Sequence, residues 1–180
     1  MAKIKGTDLT ILRNLIRDQG PAAESKLLSQ LSEEAGKVYR TALPILWIPI
    51  EIQAQIYEAA AAELYPRSSN PVQDLFMVVS SKTYSTIYKV FLSIPSLEFI
   101  MSQAAKVWGN YYDKGKAFIE NKSEKSVDFV VVDFPDLPKA MREATISHVA
   151  FLAKNSGLKA VQVTLDESNP NKWVWHVTWA

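Results

Sequence analysis

Apolar residues in this chain recur at three- and four-residue steps as far as Gly115 and at alternate positions after it. This change of period restricts the possible folds more than any other feature. Before it, Thr7 can cap a helix over about residues 8–18, with Leu9, Leu12, Leu15 and Ile16 as its stripe, and Gly20-Pro21 stops it and opens a second helix to about Tyr39. In TALPILWIPIE, Pro44 and Pro49 bracket Ile45 to Ile48, which reads as extended and buried. Pro49 suits the first turn of a third helix, carried by Ile52, Ile56, Tyr57, Ala60 and Leu64. Asn70-Pro71 then begins a helix of about five turns through Val72, Phe76, Val79, Thr83, Ile87 and Val90. Met77, Tyr84, Tyr88 and Phe91 widen its apolar side, which predicts a central position with neighbours on two sides. Pro95 starts a further helix through Phe99, Met101, Val107, Trp108 and Tyr111, ending near Gly115.

After Gly115 the texture is that of strands. KAFIEN and VDFVVVDF flank a turn at KSEKS, a helix from about 138 to 156 closes at Gly157, and KAVQVTL and KWVWHVTW flank the polar loop DESNPN. The pattern predicts an α+β fold: an N-terminal helical bundle over 1–115, then a β-β-α-β-β unit over 116–180 that forms an antiparallel four-stranded sheet, all within one domain of 1–180. In the last strand Trp173, Trp175, Val177 and Trp179 share one face, and Val174, His176 and Thr178 share the other. Three indoles on one face can floor a ligand pocket, cover helices as core, or present a surface to a partner. Core is the default, with Trp179 the least buried, and truncation before Lys172 is expected to unfold the sheet.

Bulk composition removes several function classes. With 20 Lys plus Arg against 19 Asp plus Glu, the net charge of +1 gives no reason to expect nucleic acid or an anionic membrane as partner. There is no cysteine, hence no disulfide, thiolate metal site or thiol nucleophile. Arg13, Asn14 and Arg17 interrupt the N-terminal apolar stretch, and no run is long enough for a membrane span, so the chain reads as soluble and cytoplasmic.

The search for chemistry yields little. His148 and His176 are the only imidazoles, the six glycines are scattered without a phosphate-binding loop, and no nucleophile elbow is present. Asp128, Asp133 and Asp136 crowd the end of the second strand and read as solvated strand-edge and turn carboxylates. At 100° per residue His148 falls on the stripe of Ala140, Met141, Ala144, Phe151 and Leu152, either as a hydrogen-bonded core histidine or as a polar handle in a cavity. His176 is expected exposed or half exposed. Ser80, Ser81, Thr83, Ser85 and Thr86 are packing spacers or small hydroxyls that leave room for a ligand.

The segments RTALPILWIPIEIQAQIYEAAAAELYP, VFLSIPSLEFIMSQAAKVWGNYYDKGKAF, VVVDFPDLPKAMREATISHVAFLAKNSGLKAVQVTL and WVWHVTWA together resemble a paralogous family of uncharacterised proteins first noticed in myxobacteria. The match runs over most of the chain from about residue 22. Its motifs are Trp47 with Pro49, Trp108 followed by Tyr112 and Gly115, Phe134-Pro135, Gly157 and an aromatic last strand. That family carries no established activity. Its layout is similar to the superfamily of haem-type nitric-oxide sensor domains, vinyl-reductase-like small-molecule domains and vesicle-tethering subunits, with helices first and a β-β-α-β-β unit last. Such a haem sensor uses a helical proximal histidine and a Tyr-x-Ser-x-Arg group. Neither 71–92 nor 95–113 contains histidine, the Tyr-x-Ser-x-Arg string is missing, and so are the cysteines of the other branches.

The leading expectation is a bacterial, signalling-type, non-catalytic sensory domain. It would bind a small apolar or aromatic ligand between helices and sheet, lined by Tyr84, Tyr88, Phe91, Trp108, His148 and Trp175, with no cofactor and no metal. The alternative is a homodimer or adaptor module that uses outward aromatic residues. Nothing specific supports an enzyme.

Overall fold

The computed structural model of the protein describes residues 1–86 and 97–180. In order, the elements are β1 (Lys3–Lys5), α1 (Thr7–Asp18), α2 (Pro21–Gln30), α3 (Glu33–Thr41), β2 (Trp47–Pro49), α4 (Ile50–Leu64), α5 (Pro71–Thr86), α6 (Leu97–Tyr111), β3 (Lys116–Glu120), β4 (Ser126–Val132), α7 (Lys139–Asn155), β5 (Gln162–Asn169) and β6 (Lys172–Thr178). The α+β order of helices followed by β-β-α-β-β is as expected.

Two helical expectations need correction. The single helix over 21–39 is two helices, because Leu31 is extended and Ser32 starts a new one by accepting the Ala35 N–H on its hydroxyl at 3.2 Å. In the stretch Ile45 to Ile48 only Ile48 is buried. Trp47 to Pro49 pairs antiparallel with Lys3 to Lys5 in a two-stranded ribbon that tucks Ile4 against Ile48 and leaves the residues before Ile48 outside. The N-terminal strand itself had no signal, since KIK is too short to show a period.

α5 packs against α1, α4 and α7, which gives it neighbours on more than one side as its wide apolar surface requires. Val72, Leu75, Phe76 and Val79 are buried along it. Ile87, Val90, Tyr88 and Phe91 lie outside the described residues, and the side chain of Tyr84 does too.

The four-stranded sheet runs β3-β4-β6-β5, fully antiparallel. β4 and β6 are central, and their register sets Val131 opposite Trp173, Phe129 opposite Trp175 and Val127 opposite Val177, a continuous apolar face. α6 and α7 cover it. The Trp173 indole donates to the Phe134 carbonyl at 2.8 Å, and the Trp175 indole donates to the Arg142 carbonyl of α7 at 3.1 Å. Gly115 turns the chain from α6 into β3 at φ +79°, and a Cβ there would sit 3.1–3.2 Å from Phe134 and Val131, so glycine serves both the turn and the packing. The last strand's indoles are core: Trp173 and Trp175 are buried, and Trp179 is the partly exposed one.

Candidate functional site

Two groups of side chains are built around the expected site residues. The first is aromatic. Trp108 of α6 stacks on Tyr112 with centroids 4.0 Å apart and donates its indole proton to the Lys114 carbonyl at 3.0 Å. Phe129 of β4 stands 6.2 Å from Trp108 and 6.0 Å from Trp175, so it joins the two expected pocket tryptophans through its own ring. Both indoles have their N–H committed to the backbone, which fixes their orientation.

The second group is polar and centres on His148. Its Nδ1 lies 2.8 Å from Ser80 Oγ on α5, and its Nε2 lies 3.3 Å from Asp8 Oδ2 on α1. Asp8 Oδ1 accepts the Thr83 hydroxyl at 3.1 Å, and Phe76 packs its edge against the imidazole at 5.4 Å. Ser80 donates its one proton to the Phe76 carbonyl at 2.5 Å, so it can only accept from His148, and Nδ1 must carry a hydrogen. The Nε2 contact with Asp8 is attractive only if that nitrogen also carries a proton or the carboxylate does. Asp8 sits in the first turn of α1, where the helix N-terminus favours negative charge. The cluster therefore ties α1, α5 and α7 together, His148 of α7 reaching Ser80 of α5 and Asp8 of α1, and Asp8 reaching Thr83 of α5.

The charge of Asp8 also reaches two phenols. Burial pushes the Tyr57 and Tyr112 hydroxyls well above the ordinary tyrosine value, and Asp8 adds to both shifts; at Tyr57 a hydrogen bond from Gln53 opposes them. A phenol kept neutral in the fold but free to ionise when unfolded stabilises the protein fully below about pH 10. Each such group then withdraws about 1.4 kcal/mol per pH unit as pH rises further. Denaturation midpoints are thus expected to fall steeply above about pH 10, and absorbance titration should show Tyr57 and Tyr112, together with Tyr39, whose hydroxyl burial also raises, ionising only as the chain unfolds. A midpoint flat from about pH 9 to about 11.5 would contradict this.

Of the six expected site residues, Trp108 and Trp175 stand against Phe129 of the sheet, whereas His148 faces α5 and α1. Tyr84 lies on the described backbone of α5, and Tyr88 and Phe91 lie outside the described residues. Sequence reasoning missed Asp8, whose role depends on a contact 140 positions away in the chain. Ser80 and Thr83 were visible as hydroxyls on α5, without a partner to point to. His176 is half exposed as expected, but its Nδ1 pairs with Asp128 at 2.7 Å. Asp128 is not the solvated carboxylate it resembled: it is buried and also accepts from Asn121 at 2.8 Å, whereas Asp133 and Asp136 are exposed. Among the described residues no set of three or more His, Cys, Asp or Glu side chains is placed to hold a metal ion.

This arrangement of a helical part folded onto a β-β-α-β-β sheet is the fold of the H-NOX domains. The chain is similar to an Fe(II) unliganded H-NOX protein mutant from K. algicida, with a TM-score of 0.71 and 10% identity over 98% of this chain and 97% of that one. It is also similar to an oxygen-binding H-NOX domain related to soluble guanylate cyclases, with a TM-score of 0.64 and 12% identity over 98% and 95% of the two chains. A mutant of the H-NOX of T. tengcongensis gives a TM-score of 0.66 at 12% identity, covering 98% of this chain and 97% of that one. No protein-family model and no curated protein matches, so the sequence-level kinship with the myxobacterial family finds no support and the likeness is one of fold.

The first of these neighbours is described as Fe(II) unliganded, and a further H-NOX neighbour is described by its haem distortion. The donors present here do not fit a histidine-ligated haem. The chain has two histidines; His148 holds Ser80 and Asp8 on its two nitrogens, and His176 is on the face of β6 opposite Trp173 and Trp175, paired with Asp128.

Proposed function

We propose that the protein is a non-catalytic sensory domain that takes a small apolar or aromatic molecule between its helices and sheet, without histidine-ligated haem. The observation that supports it best is the Asp8, His148, Ser80 and Thr83 cluster, set inside a fold whose solved examples include oxygen-binding domains. A ligand carrying one hydrogen-bonding group can replace Asp8 or Ser80 as the partner of His148, and the exchange would loosen α1 or α5 from α7. That couples occupancy to a movement between the helical part and the sheet unit. Trp108 and Trp175 supply the apolar wall.

Ser80, His148 and Asp8 have the composition of a hydrolytic triad, but not its chemistry. Ser80 is fully buried, and its proton is already held by the Phe76 carbonyl, so no substrate carbon can approach the oxygen.

Native mass spectrometry of gently purified protein, with thermal-shift screening against fatty acids, aromatic acids and porphyrins, tests the proposal. A retained or stabilising ligand is expected, with its shift abolished in His148→Leu. Hemin added to the apoprotein should not survive gel filtration with a histidine-ligated absorption spectrum. A stable haem complex of that spectrum, or no ligand from any class, would overturn the reading.

A further inference from the structure

The loop between α3 and β2 presents Leu43, Pro44, Ile45, Leu46 and Trp47 to solvent, with the large apolar side chains 53%, 74%, 44% and 41% exposed at 43, 45, 46 and 47. Single exposed apolar residues are ordinary, but four within five positions are not. The loop is tied back to the protein. Its base is anchored by Ala42 and Ile48, both buried. All four consecutive carbonyls from Leu43 to Leu46 accept a hydrogen bond from within the protein. Leu43 O receives Leu46 N–H at 3.1 Å, Pro44 O the Thr7 hydroxyl at 3.3 Å, Ile45 O the Lys5 ammonium at 2.8 Å and Leu46 O the Gly6 N–H at 3.0 Å. Gly6 is needed for that closeness, since a Cβ there would stand 2.5 Å from Leu43 O.

Internally satisfied carbonyls are what a peptide segment must have before it can leave water for hydrocarbon. The surroundings are cationic. Lys5 lies over the Trp47 ring at 4.2 Å, and Lys37 and Arg40 are exposed on the last turns of α3 just before the tip. Among the described residues Lys3, Lys5, Lys37 and Arg40 form no ion pair. From Ala35 to Ile52 the chain carries one carboxylate, Glu51. Net charge near zero over the whole chain conceals this local imbalance.

We infer that the 43–47 loop is a membrane-surface anchor: Leu43, Ile45, Leu46 and Trp47 enter the interface of a bilayer while Lys5, Lys37 and Arg40 meet anionic headgroups. A second copy is a poorer occupant. A symmetric contact would bring the same unpaired cations face to face, and a tip of five residues falls short of the roughly 20–30 a side of a stable interface.

Co-sedimentation with vesicles of phosphatidylcholine, with and without phosphatidylserine, tests this on the full chain. Binding is expected on the anionic vesicles, weakened by salt and by Lys37→Glu with Arg40→Glu, and reduced about tenfold or more by Ile45→Asp. Ile45 points into water, so that variant should keep the wild-type melting temperature. The Trp47 emission should shift to the blue on binding, and that shift should be absent in Trp47→Phe. No binding to anionic vesicles, or binding unchanged by Ile45→Asp, overturns the proposal. So does a dimer or protein complex lost in Ile45→Asp without any lipid binding, which would assign the tip to a protein partner.

Discussion

Removing the chain from Lys172 onward is expected to leave no folded protein, and Trp175→Ala alone to cost about 3–5 kcal/mol. β6 is not an appended strand: it lies between β4 and β5, so its loss strands β5 and exposes the edge and apolar face of β4. Trp175 is fully buried against Phe129, and its indole proton satisfies Arg142 O on α7. Truncating it opens a cavity and breaks a tie between sheet and helix in one step. Against a total stability of about 5–15 kcal/mol, that loss brings the domain near its threshold. Urea denaturation of Trp175→Ala beside Trp179→Ala separates the positions: the partly exposed Trp179 should cost about 1 kcal/mol or less. A soluble truncate with a cooperative transition at the wild-type temperature would refute this view of the sheet.

The sheet was legible because its residues alternate over enough positions to fix both the faces and the pairing. Val127, Phe129 and Val131 meet Val177, Trp175 and Trp173 in register because the two strands alternate in phase. The helix stripes were legible for the same reason, down to His148 on the inward side of α7. What escaped depends on contacts between distant segments. β1 exists because Trp47 to Pro49 returns to it, and the exposure of Ile45 follows from that ribbon rather than from its apolar neighbours. Asp8 looked like an ordinary first-turn carboxylate, which local physics fully explains. Its second duty, toward His148 and Thr83, emerges only when α1 and α7 are brought against α5. Likewise Asp128 looked like a solvated carboxylate at a strand edge, yet the register places it opposite His176, where it is buried.

Asp8 carries the second large effect. Asp8→Leu is expected to cost about 2–4 kcal/mol, because the Thr83 hydroxyl and one nitrogen of His148 lose their partner in a half-buried site. Asp8→Asn should cost about 1 kcal/mol or less. Its carbonyl oxygen can still accept from Thr83, and its amide can donate to Nε2 of a neutral ring already protonated at Nδ1. The two variants thus separate loss of hydrogen bonding from loss of charge. Charge has its own readout: without it, the Tyr57 and Tyr112 phenols lose one of the causes that hold them neutral, so the alkaline decline in stability should be shallower in Asp8→Asn than in the wild type. Combining Asp8→Leu with His148→Leu should cost less than the sum of the two, since the second substitution removes a group the first has already orphaned. If Asp8→Leu matches the wild type in urea and the double variant is strictly additive, the carboxylate and imidazole are neighbours without coupling, and a ligand would have no contact there to replace.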